Sequence, residues 1–232
     1  MIGSLVHLCA AAFLFVASHL VLAAPKLRQP VAGAIGEWGF KGAYSLVSVA
    51  LFAWMIMAYR AAPEVELFEP GTAMRHASLT LMMIAAFLVI GGYTTPNPGI
   101  MGMEAVGLRA GPRGVLKITR HPVMWGVALW GVSHLLGTGD AGAMVFFGAL
   151  TVLALAGAWH IDAKRRASHG EAWKAFEAET SFWPLGAILA GRTKIERGET
   201  KWWQTLLAVL AYVGMLWAHA EMGLDVFPPG FF

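Results

Sequence analysis

Residues 117–137, KITRHPVMWGVALWGVSHLLG, decide the fold. A basic cluster and an Arg-His-Pro corner give way to an apolar run, and that run carries a second histidine, His134. Proline is tolerated in the first turn of a helix, where its missing N–H would be unpaired anyway, so Pro122 starts the helix in which His134 sits. A histidine in an apolar span is costly, and polar side chains at that depth commonly face a bundle interior and mark a pathway, a cofactor or a substrate.

Runs of the same kind recur at about 2–24, 42–59, 76–93, 122–138, 141–159 and 202–222. Each is near the ~20 residues that a spanning helix needs. Gly137, Thr138, Gly139 and Asp140 turn the fourth run into the fifth, which makes those two an antiparallel hairpin. The composition agrees: 57% of the 232 residues are hydrophobic and 13% charged, against about a quarter charged in a soluble domain. The expected fold is an all-α, polytopic integral membrane bundle of about six transmembrane helices, a single domain over 1–232 with a cytoplasmic amphipathic segment at 160–201.

The first run ends VLAAP, which mimics a signal peptide, but no positive residue precedes it, it is long for such a segment, and Pro25 would follow the cleavage site. It reads as an uncleaved first helix. Of the seventeen lysines and arginines, fifteen fall in the segments 25–41, 94–120 and 160–201, while Arg60 and Arg75 lie among Glu64, Glu66 and Glu69. Positive residues concentrate on the cytoplasmic side, so both termini are expected in the periplasm of a bacterial inner membrane. The same topology explains the calculated pI of 9.2, and nucleic acid is not an expected partner.

Cys9 is the one cysteine, which excludes an intramolecular disulfide and any multi-cysteine metal site. Metal chemistry would fall to the eight histidines. The topology places His19, His121 and His160 toward the cytoplasm, with Asp162 close by, and His7, His76, His134 and His219 toward the periplasm. His7, His76 and His219 lie near helix ends and read as interface residues, His160 as a helix end and His169 as a solvated side chain. His19, His121 and His134 are harder to dismiss. His121 and His134 are thirteen residues apart on one helix, ~20 Å for a regular helix, and point to different faces, so they do not share an ion. His121, beside Arg120 at a helix start, suits an anionic group.

The segment 94–114, TTPNPGIMGMEAVGLRAGPRG, supports two readings: a methionine-rich cover for a hydrophobic ligand, or an interfacial re-entrant segment without one. From 162 a charged helical stretch runs to about Glu179 and is expected to lie against the inner face, with Trp173 and Phe176 on one side and Trp183 as an interface anchor. No nucleotide-binding glycine loop, Ser/His/Asp signature or HExxH zinc motif occurs.

Arg120-His121-Pro122, then a helical hairpin, then Asp162 eight positions before Gly170-Glu171-x-Trp173 resembles the isoprenylcysteine and phospholipid methyltransferase superfamily. That likeness implies S-adenosylmethionine with Arg120 and His121 at the cofactor. The superfamily carries paired glutamates where this chain has Ile161 and Asp162.

A closer likeness covers nearly the whole chain. SHLVLAAPKLR, GEWGFKGAYSLVS, RHPVMWG with VSHLL, and GEAWKAFEAETSFWP resemble the NnrU family, which is associated with denitrification gene clusters and similar to the plant 15-cis-zeta-carotene isomerases. The resemblance implies haem b, with iron held by histidines that match His19 and His134, and isomerase-like activity on a lipophilic substrate or a role in nitrogen-oxide metabolism. Gly131 stands where the plant enzyme has an alternative cysteine ligand. Depth alone pairs His19 with His121 instead, and both pairings stay open at this point. A third expectation is a non-enzymatic assembly or regulatory subunit in contact with membrane lipids, within a membrane complex or homo-oligomer.

Overall fold

Helix α1 (Leu5–Ala23) opens on Ser4, whose hydroxyl accepts the His7 N–H at 3.2 Å, and ends where Ala24 turns extended ahead of Pro25. This computed structural model describes residues 3–224 and 226–227; the extreme ends of the expected 1–232 domain, and the Lys26 side chain, lie outside that description. The described helices continue with α2 (Pro25–Ala61), α3 (Thr72–Thr94), α4 (Glu104–Ala110), α5 (Val115–Ile118), α6 (Pro122–Thr138), α7 (Ala141–Glu179), α8 (Gly186–Leu189) and α9 (Trp202–Glu221). The protein is an all-helical, multi-pass membrane protein.

Among the described residues five helices are long and apolar enough to cross a membrane: α1, α2, α3, α7 and α9. The fourth apolar run forms α6, with Pro122 in its first turn and Gly139 left-handed (φ 64°) just past its end. At 17 residues it is about 25 Å long, slightly less than the ~30 Å of a bilayer's hydrocarbon. It is nevertheless central, packed between α3 and α7.

Two expected connections are helical instead. Residues 25–41 read as a loop, but α2 begins at Pro25, which fits a first turn, and bends at Gly36, where φ 79° and ψ 160° leave the helical region. Likewise α7 runs without a loop from the apolar 141–159 stretch into the charged one, bending at Gly170 (φ 48°). Beyond that bend Trp173 and Phe176 are buried against Leu116 of α5.

The helices pack in the order α2–α1–α7–α6–α3–α9. Small residues bring them close: a Cβ on Gly126 would lie 2.5 Å from Val89, one on Gly92 2.7 Å from Val123, and one on Gly131 would collide with Thr151 Oγ1 of α7. A larger core of Leu8, Ala11, Phe15, Met55, Phe146 and Phe147 joins α1, α2 and α7.

At one end, residues 62–71 form a strap across the α6–α7 turn. Leu67 N–H donates to Gly139 O at 2.8 Å and Ala141 N–H to Val65 O at 2.9 Å. Asp140 fastens the strap to the helix, accepting from Val65 N–H through Oδ2 (3.0 Å) and capping α7 by accepting from Ala143 N–H through Oδ1 (2.9 Å). The opposite end, made of residues 94–121 and 162–201, carries most of the basic side chains.

Candidate functional site

At the basic end residues 118–121 are hydrogen-bonded along 181–185. Arg120 N–H donates to Ser181 O (2.9 Å), Leu185 N–H to Ile118 O (2.7 Å), and the Thr119 hydroxyl and the Trp125 indole each donate to Phe182 O (2.8 Å). This backbone clamp fixes the Arg-His-Pro corner, and Arg120 and His121 are both buried. The Arg120 guanidinium grips Asp162 from two nitrogens, Nε to Oδ1 at 2.9 Å and Nη2 to Oδ2 at 2.5 Å, and reaches Glu177 at 3.3 Å. His121 Nε2–H donates to Asp162 Oδ1 at 2.7 Å. The anionic group that this corner suits is therefore met by the chain's own carboxylate. A buried ion left unpaired is expensive, and here each buried charge has its partner.

The surrounding cations follow the same rule. Arg165 donates to Pro98 O (2.8 Å) and pairs with Glu104 (2.9 Å), while Lys117 pairs with Glu199 (2.5 Å) and donates to Lys194 O (2.9 Å). Burial raises the Glu104 and Glu199 carboxyls, but backbone hydrogen bonds together with Arg165 and Lys117 outweigh it and hold both below the ordinary carboxylate value. The glycine- and proline-rich segment is pinned rather than loose: buried Asn97 donates to Gly92 O and accepts from Gly99 N–H, and Gln204 of α9 donates to Thr94 and Thr95. Met101 points outward, 74% exposed.

The remaining histidines occupy two other places. His19 of α1 has Nδ1 against Phe15 O at 2.8 Å, and its ring meets Phe15 and Tyr44 at centre distances of 4.4 and 5.6 Å. His134 of α6 has Nδ1 against Trp130 O at 2.8 Å, stacks on Phe147 at 4.2 Å and 18°, and lies 6.0 Å from the ring of His219 on α9. His219 repeats the pattern, with Nδ1 against Met215 O at 2.7 Å. A carbonyl only accepts, so in each of these three rings Nδ1 carries a proton and donates it. His7 differs, because its Nε2 accepts from the Trp54 indole at 2.7 Å.

Thus the structure joins Arg120 with His121, and His134 with His219, a residue that the sequence placed at the interface. His19 connects to His134 through rings, Phe15, Phe52, Phe146 and Phe147, at successive centre distances from 4.2 to 6.4 Å. Depth ordering does put His134 and His219 in one layer. The contact between α3 and both of their helices, which brings the rings together, has no signal in the sequence.

An all-helical membrane bundle with imidazoles held by their own helices at apolar depth, and a carboxylate-locked Arg-His corner at one end, defines the class. Residues 7–226 match the model of the family described as NnrU protein, and the chain belongs to that family. It is similar to the chloroplastic 15-cis-zeta-carotene isomerases of Zea mays, 36% identical over 84 residues (36% of this chain, 23% of that protein), and of Arabidopsis thaliana, 34% identical over 112 residues (47% and 30%). The matched parts are less than a third of either relative's length. No solved structure matches.

Proposed function

We propose that this NnrU-family protein binds haem b within the membrane and acts on a lipophilic substrate with isomerase-like chemistry. The observation that carries this reading is the state of the imidazoles: in His19 and His134 a backbone carbonyl holds Nδ1–H and leaves Nε2 for a metal, which is how ligating histidines are commonly oriented. His121, the other candidate, has given Nε2 to Asp162. The names of the similar plant proteins support a polyene-like substrate.

Haem iron, when bound, supplies a metal centre able to perturb a double bond, with properties tuned by its axial ligands and burial. The chain's own contribution is to orient the imidazoles and to exclude water. Phe15, Phe52, Phe146 and Phe147 surround the imidazoles with an apolar, aromatic core.

In this reading α6 also crosses the membrane, giving six spans. The fifteen basic residues of the 25–41, 94–120 and 160–201 segments face the cytoplasm of a bacterium, and both termini face the periplasm. A role in nitrogen-oxide metabolism fits the same haem chemistry. The methyltransferase reading is less well supported, since Asp162 already occupies the donors of Arg120 and His121.

Purified protein, supplied with haemin and examined by absorption in the oxidised and reduced states, tests the proposal. A Soret band with stoichiometric haem is expected, together with conversion of a cis-polyene followed by chromatography. No band after reconstitution would overturn it.

A further inference from the structure

We infer that Arg113, Arg197 and Lys201 form a site for the phosphate of an anionic phospholipid, placed where helix α9 enters the bilayer. The three side chains line a cavity of about 440 Å³ between residues 110–113 and 196–201. Helix α9 is long and apolar enough to cross a membrane, and it starts at Trp202. Lys201 and its neighbours therefore stand where the apolar span meets water, at the depth of the lipid headgroups.

Charge selects the ligand. Glu199 lines the same cavity, but its carboxylate is taken up by Lys117 at 2.5 Å and by the Gly114 and Glu196 N–H groups. Against the three cations that leaves one acid of the lining, Glu196. Arg113 gives one nitrogen to Ala110 O, and among the described residues neither Arg197 nor Lys201 has an ion-pair partner. Elsewhere at this end the buried cations Lys117, Arg120 and Arg165 have carboxylates of their own. The cavity is thus where positive charge is left over for an external anion, and basic pockets beside membrane helices are a recurring headgroup site.

Apolar side chains on the same segment make a lipid the carrier of that phosphate. Trp183, Leu185, Leu189, Ile195 and Trp202 are 65, 47, 82, 46 and 76% exposed, and basic Lys194, Arg197 and Lys201 interleave with them. Ile195 and Trp202 bracket the 196–201 wall of the cavity. Exposed apolar groups in such a run suit the boundary between headgroups and acyl chains better than water. Leu185 adds an independent sign. At φ 65° it is the one left-handed residue other than glycine among the described residues, a conformation unfavourable for leucine. Its N–H is used, donating to Ile118 O, while its side chain is left exposed; insertion into the bilayer gives that side chain apolar surroundings.

The test uses the full chain purified in detergent, with native mass spectrometry as the readout. Wild type is expected to retain phosphatidylglycerol in preference to phosphatidylcholine of the same acyl chains. A cation near an anionic lipid is worth about fivefold in affinity, so Arg197→Gln with Lys201→Gln should weaken phosphatidylglycerol ~25-fold and leave phosphatidylcholine unchanged. Lys164→Gln with Lys174→Gln removes equal charge from exposed positions at the same end and should leave the preference intact. Equal losses in the two double variants would overturn the site, as would wild type without a preference. Displacement of the lipid by an equal concentration of glycerol phosphate would overturn the lipid as occupant and assign the cavity to a soluble phosphate. In phosphatidylglycerol vesicles, a spin label on Leu189→Cys in a Cys9→Ser background should be relaxed more by oxygen than by an aqueous nickel chelate. The reverse order would place the segment in water and overturn the proposal.

Discussion

The two ends of helix α6 handle a buried imidazole in opposite ways. At the basic end His121 gives its Nε2–H to Asp162, which also takes the Arg120 guanidinium, so both of these buried groups are satisfied within the protein. Toward the strap end His134 receives support only for Nδ1, from its own helix, and keeps Nε2 open opposite His219. The contrast separates structural from chemical roles. Satisfied polar groups tie the basic end together, while a polar atom left open at apolar depth is where a ligand has something to gain.

The sharpest way to break this comparison is to remove the shared carboxylate. Asp162→Ala leaves His121 buried without its acceptor and Arg120 with Glu177 alone at 3.3 Å, and a loss of about 3–5 kcal/mol is expected, as for one-sided removal of a buried ion pair. Thermal unfolding in detergent would show it as a large drop in midpoint. An unchanged midpoint would mean that the network adds nothing. Next in size is Gly131→Ala, which drives a methyl into Thr151 Oγ1 and to 3.0 Å from Phe147 O. Overpacking of this kind costs about 1–3 kcal/mol, and Thr151→Ala in the same protein is expected to recover part of it. The same collision explains why a side-chain ligand has no room at position 131.

Acid offers a smaller and more selective probe. Glu199 is held below its ordinary value by contacts that include Lys117, so its contribution to stability is complete above the unfolded carboxylate value and is lost as pH falls through the lower folded one. The stability gap between wild type and Glu199→Gln should therefore be widest near neutrality and close in acid, as measured by unfolding midpoints across pH. The smallest effect is expected at the other pole. His219→Leu removes an imidazole whose Nε2 has no hydrogen-bond partner among the described residues, and stability without haem should change by no more than about 0.5–1 kcal/mol. A loss as large as that of Asp162→Ala would erase the distinction between the two ends.

The sequence showed the spans clearly because hydropathy is local: the limits of α6 could be read from Pro122 and Gly139, and those of the hairpin from the turn at 137–140. Helical continuity was harder to see. Lys41 and Arg28 made 25–41 look like a connection, whereas a charged residue on a helix that leaves the membrane is no obstacle to the helix, and a single positive-φ glycine supplies the bend. The basic corner was half legible, since Arg120, His121 and Asp162 stood out as residues. Their closure into one network depends on Ser181 and Phe182, which carry no motif. His219 was invisible as a partner because α3 touches both α6 and α9 through contacts between distant segments, and a list of apolar runs does not contain the order in which they pack.

That packing order has a consequence for how the chain enters its membrane. Helices α1, α2 and α3 are made first, yet α7 and α6 come to lie between α1 and α3. The later hairpin must wedge into a gap that the earlier helices leave for it. Residues 62–71 bridge that gap, and ten residues reach at most ~35 Å, enough to cross two helices of about 10 Å each. The strap is thus both spacer and clasp: its length spans the gap, and its hydrogen bonds to Gly139 and Asp140 close it around the turn of the hairpin.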